Sequence, residues 1–225
     1  MHIEHGVVTG AKLLLSYGTA AAAGATALKM TAEAALEKGL PSLAARSVLA
    51  TAAVFTFFQV LPHHPVGISE VHLILGSTLF LLFGAAPAAV GLAMGLLLQG
   101  LFFAPFDLPQ YGMNVTTLLV PLFGLRALAA RIIAPGTAYV DLSYGQALKL
   151  STAYQGGIVA WVGFWAVYGQ GFEAANLAAI GSFGLAYMSV VLLEPLVDLA
   201  VLAGAKSLKG LEKSGIVTPR LHHAA

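Results

Sequence analysis

A chain of 225 residues that is 58% hydrophobic and only 9% charged, with a mean hydropathy of +0.85, belongs in a membrane, since soluble domains carry about 25% charged residues. Its net charge of +1 gives no general attraction to nucleic acid. The absence of cysteine excludes disulfides, thiolate metal sites and iron–sulfur clusters, so any metal must be held by nitrogen or oxygen ligands.

The chain opens with Met1-His2. A free terminal amine, the His2 backbone nitrogen and the His2 imidazole Nδ1 can close two fused chelate rings around one ion. That places three nitrogens in a plane and leaves a fourth position open, a donor set that suits Ni(II) or Cu(II) and, less well, Co(II). The amide nitrogen binds only after losing its proton, so binding is expected to weaken at low pH. Met1 is expected to be retained, because removal of the initiator methionine generally needs a small second residue. His2, Glu4 and His5 stand where a signal peptide would be basic, so no cleaved leader is expected. Segment 1–6 is read as a chelating stretch, non-helical and buried among the helices.

Apolar runs of about 20 residues mark membrane-spanning helices. Seven are predicted, at about 7–28, 44–61, from Ser69 through HLILGSTLFLLFG, 87–105, 113–133, 148–169 and 176–204. Segment 29–43 reads as a short loop or surface helix. Only Gly84-Ala85-Ala86 separates the third span from the fourth, which predicts a tight helical hairpin. Gly91 and Gly95 are spaced for close helix packing, within the chain or against a partner. The expected fold is an all-α membrane protein, one integral domain over 1–225, with no soluble domain and no internal repeat.

Cytoplasmic loops are rich in Lys and Arg. With the N-terminus outside, every one of the 11 basic residues except Lys12 falls on the cytoplasmic side, including those of a C-terminal tail at 206–225. The outer loops then carry His63, His64, Glu70, Asp107 and Glu173, groups that attract cations, on the same face as His2 and His5. His72, about one turn into the third span, is the natural fourth ligand, because an ionisable residue at that depth faces a cavity or the bundle interior. His63 and His64 compete for the role. Asn114 either orients a ligand or caps the fifth span; Gln59 either supports the site or bonds a neighbouring helix. Glu194 and Asp198 are expected to pair with Arg126, the alternative being an ion or proton relay.

Several stretches, read in order, resemble the CbiM/NikM family, the substrate-binding (S) components of energy-coupling factor (ECF) transporters for cobalt and nickel. They are Met1-His2-Ile3 with Gly6; Gln59 followed by PVGISEVHLILG; LLLQGLFFAPFDLPQYGMNV; and Glu194. The likeness is densest from 55 to 125. It implies a multi-pass subunit of the bacterial plasma (inner) membrane that is not an enzyme. Such a subunit binds Ni2+ or Co2+ through Met1, His2 and His72. It works with an ECF transmembrane coupling protein, two cytoplasmic ATPase subunits and, as a further partner, a small accessory membrane subunit. No GxxxxGK[ST] phosphate loop occurs in this chain, in keeping with ATP hydrolysis by other subunits. The chain departs from the family at His5, which is usually acidic, at His63-His64, and at Tyr187-Met188, where a His is expected. Two other classes stand beside this reading. One is a stand-alone secondary transporter or channel for divalent cations. The other is a membrane metalloenzyme, for which the sequence offers no acid or base set beside an open metal site.

Overall fold

A computed structural model describes residues 3–223. Its helices are α1 (Leu13–Lys38), α2 (Leu40–Gln59), α3 (Gly76–Phe83), α4 (Ala85–Phe102), α5 (Tyr111–Ile132), α6 (Tyr144–Gln170), α7 (Ala174–Met188) and α8 (Glu194–Ser207). A hairpin of β1 (His64–Val66) and β2 (Ser69–Val71) lies between α2 and α3. α7 and α8 run together through a 3-10 turn at Ser189–Leu192 into one apolar stretch, so the chain makes a bundle of seven helical passes. α2, α4, the Pro105–Ile132 stretch that ends in α5, and the α7–α8 stretch are each long and apolar enough to cross a membrane. Leu36 and Leu185 are 89% and 81% exposed. Large apolar side chains turned outward to that degree fit contact with lipid or a partner protein.

Segment 29–43 is neither loop nor separate surface helix. α1 continues to Lys38, and Gly39, at φ 81°, breaks the chain before α2, which has Pro41 in its first turn. Gly84, at φ 87°, is the whole connection between α3 and α4. Such a φ is open to glycine without penalty, which permits a reversal this short. Gly91 and Gly95 face inward: a Cβ on Gly91 would stand 2.5 Å from the Ala50 Cβ, and one on Gly95 2.5 Å from Val54 Cγ1. These small residues therefore serve packing of α4 on α2 within the chain. α6 begins with a capping box, in which Ser143 Oγ accepts from Gln146 N at 3.3 Å and Gln146 Oε1 accepts from Ser143 N at 3.0 Å.

The third span departs from a full-length helix. Residues 69–71 are strand, 72–75 are extended or irregular, and only eight residues form α3. The hinge is Leu75, at φ 54° and ψ 40°, which among the described residues is the one non-glycine position with positive φ. Non-helical backbone at such a place is tolerated where protein buries it, and 72, 74 and 75 are buried. Arg46, itself buried, donates from Nη1 to the Phe83 carbonyl at 2.9 Å and closes the far end of α3. Arg126 pairs with Glu33 at 3.7 Å on the exposed side of α1 and α5. The expected pairing of Glu194 and Asp198 with Arg126 is thus corrected: both acids are buried and bond to hydroxyl and amide groups.

Candidate metal centre

At the hairpin end of the bundle Ile3 is seated in the fold, whereas Glu4, His5 and Gly6 are exposed, which corrects the expected burial of segment 1–6 among its described residues. Ile3 is 1% exposed and bridges antiparallel to Ser69. Its amide donates to Asn114 Oδ1 at 3.0 Å, and the Glu4 amide donates to the Ile68 carbonyl at 3.0 Å. Asn114 thus receives the N-terminal segment on α5, while α5 itself starts at a Gln110 N-cap without a side-chain cap. Farther along, the Lys12 ammonium donates to the Gly169 carbonyl at 2.8 Å. Gly169 lies so close to the segment that a Cβ there would stand 1.8 Å from the Val7 carbonyl oxygen.

His72 is 1% exposed. It sits in the extended stretch between β2 and α3, outside the spanning helices. Burial, with His63 beside it, pushes its imidazole well below the ordinary histidine range, so the ring is neutral and able to act as a ligand. The His63 ring stacks on it at 4.9 Å between centroids, 9° from parallel, and Phe58 closes another side at 5.4 Å. Glu70 Oε2 accepts from His72 Nε2 at 2.9 Å. A carboxylate on one ring nitrogen fixes the orientation and tautomer of a ligating histidine and leaves Nδ1 with the lone pair. Glu70 was not singled out as a ligand partner in the sequence, yet its spacing was a signal. Residues i and i+2 of an extended strand project to the same side.

Beside this group opens a cleft of about 250 Å³ lined by His5, Gln59, His63, Glu70, Gln99 and Asp107 among others, with no Lys or Arg. His5 donates from Nε2 to the Phe106 carbonyl at 2.7 Å, with Asp107 Oδ1 at 3.7 Å. Gln59 Oε1 lies 3.5 Å from Gln99 Nε2, joining α2 to α4. His64 is exposed on β1, in register with Val71. The structure therefore gathers His72, His63, Gln59 and Asn114 at one end of the bundle and leaves His64 on its surface. Met1 and His2 lie outside the described residues, and among the described residues no three His, Asp or Glu side chains form a metal-binding group.

Replacing Glu70 by Gln tests the ring-fixing contact. The amide keeps the size but lacks the charge that favours a hydrogen-bonded imidazole donor. Loss of such supporting contacts typically weakens metal binding by about 10–100-fold, and titration of the purified protein with Ni2+ should show a weakening of that order, with the thermal midpoint of the metal-free protein little changed.

The bundle and its hairpin have a counterpart among solved structures. A protein described as a truncated transition metal transporter superposes with a TM-score of 0.63 at 16% identity, covering 93% of this chain and 98% of that one. The likeness at that identity is one of fold. No curated protein matches the chain. The sequence model of the CbiM family, described as the cobalt uptake substrate-specific transmembrane region, matches residues 2–209. With a match that runs from the N-terminal segment, through the hairpin and the adjoining His72, to the end of α8, this chain belongs to the CbiM family of metal-uptake membrane proteins.

Proposed function

We propose that this chain is the substrate-binding membrane subunit of an ECF-type transporter that takes up Ni2+ or Co2+, driven by separate ATPase subunits through a membrane coupling protein. The ion is held by the Met1 amine, the His2 amide and imidazole nitrogens, and His72. The observation that carries this reading is the tethering of Ile3 beside Ser69 and Asn114. Ile3 is seated on the strand that leads into His72, and two residues reach at most about 7 Å, which supports donors from positions 1 and 2 joining His72. The acidic, lysine-free cleft supports cation entry at the same end. In this reading the N-terminus and hairpin face outside and the C-terminal segment faces the cytoplasm, as the distribution of basic residues favours.

The test is uptake. Cells without other nickel or cobalt routes should accumulate the ion when they express this chain with its coupling and ATPase partners. Replacing the phosphate-binding Lys of both ATPases should reduce accumulation to background. Full uptake with inactive ATPases would make the chain a secondary transporter or channel instead.

A further inference from the structure

α8 meets the start of α3 with two buried acids. Ser77 Oγ donates to Asp198 Oδ2 at 2.9 Å, and Thr78 Oγ1 donates to Asp198 Oδ1. One helical turn earlier on α8, Glu194 accepts from Gln155 Nε2 at 2.6 Å and from Ser151 Oγ of α6, and the Leu75 backbone N–H is directed at the same carboxyl group. Glu194 is 0% and Asp198 1% exposed, and neither forms an ion pair among the described residues.

Acids left in an apolar bundle without a cationic partner call for an explanation. Their hydrogen bonds supply one. Asp198 lies at the N-terminal end of α3, where the unpaired amides and the helix dipole favour negative charge. Side-chain capping by α3's own N-cap residue is impossible, because that residue is Leu75. Leu75 also holds the left-handed conformation that turns the extended stretch into helix, a geometry that persists only where the surroundings determine it. Glu194 faces the amide of the hinge residue and Asp198 holds Ser77 and Thr78 just after it, and the hinge lies three residues after His72.

We propose that Glu194 and Asp198 are positioning residues for the metal site, holding the Leu75 hinge and the first turn of α3 so that the backbone delivers His72 to the ion. The proposal rests on the reading of His72 as a ligand. It makes α8 a mechanical partner of a site that α8 does not touch. A change in charge or length at the clamp rotates the hinge, and the displacement reaches His72 through a few bonds of backbone.

The test uses the purified full chain with Ni2+ as the probe. Affinity, the visible absorption of bound Ni2+ and the melting point of the metal-free protein are measured for the wild type, Asp198→Asn, Glu194→Gln, Thr78→Val and His72→Ala. Asp198→Asn and Thr78→Val should weaken Ni2+ binding by about 10-fold or more, in the range found for supporting contacts, and should shift the absorption band because the imidazole is displaced. A lower melting point with wild-type affinity and spectrum would overturn the proposal and leave the acids merely structural. If Asp198→Asn does not fold, Thr78→Val, which keeps shape and removes one hydroxyl, decides alone. Wild-type binding by His72→Ala, or no binding by the wild type, would overturn the ligand reading and the clamp with it. Loss in His72→Ala with full binding in the clamp variants would overturn the clamp alone.

Discussion

One residue added ahead of Met1 should abolish metal binding while the protein still folds and inserts. The proposed ligand is a primary amine. An added residue converts that primary amine into a peptide amide and moves the new amine out of the chelate ring formed with the His2 nitrogens. The segment has little freedom to adapt. Ile3 is fixed by Asn114 at 3.0 Å and by the bridge to Ser69, and it is 1% exposed. The extra residue must therefore be accommodated ahead of a fixed point. Nickel affinity should fall by at least the 10–100-fold that loss of a mere supporting contact produces, with the melting point of the metal-free protein unchanged within about 1–2 °C. An added residue after Ala225 is the control and should leave affinity intact. Unchanged binding by the N-terminally extended protein would remove the amine from the ligand set and require the site to be rebuilt around His63, His64 and His72.

Gly169→Ala should have the largest effect of any single methyl group on the N-terminal segment. The added Cβ would stand 1.8 Å from the Val7 carbonyl oxygen, 2.8 Å from its carbon and 3.1 Å from Val8 Cγ2. Two of these atoms are backbone and cannot rotate away. Either α6 shifts or residues 7 and 8, now 4% and 1% exposed, leave their seat. Overpacking of this kind costs about 1–3 kcal/mol, and a displaced segment also pulls on the tether at Ile3. The melting point should drop and nickel binding should weaken together. Gly156→Ala on the same helix is the control. A Cβ there meets nothing within 4 Å, and alanine gains roughly 1 kcal/mol of helix propensity over glycine, so this variant should be neutral or slightly stabilised. Normal binding and melting by Gly169→Ala would show that the segment moves aside without consequence.

Hydropathy located the helical passes better than their ends, since α1 runs on to Lys38, well past the apolar run that marks it. The runs that became α2, α4, α5 and α7–α8 stood out because each is long, apolar and uninterrupted, and the reversal at Gly84 was visible as a gap too short for anything but a tight turn. The third pass misled because an apolar run does not tell a buried strand from a buried helix. HLILG is extended up to Leu75, and its helix begins only at Gly76. Glu194 and Asp198 were assigned to Arg126 because charge counting places residues by depth and says nothing of azimuth. Arg126 points to Glu33 on the outside of the bundle, while the acids point to its core. For the site, His72, Gln59 and Asn114 were legible as polar residues at one end of apolar spans. The Asn114 contact with the Ile3 amide was not, since no pattern in either segment encodes a partner more than a hundred residues away.

That separation bears on how the protein comes into being. Ile3, Glu4 and Lys12 have their partners at Asn114, Ile68 and Gly169. At a synthesis rate of about 5–20 residues per second, Gly169 follows Val7 by roughly ten to thirty seconds. Ile68 and Asn114 emerge within that interval, so Ile3 and Glu4 can be held before the seat of Val7 and Lys12 exists. Docking of this segment is thus completed only once α6 has been made. A truncation that stops before α6 would leave Val7 and Lys12 without the Gly169 side of their seat, however well the earlier helices insert.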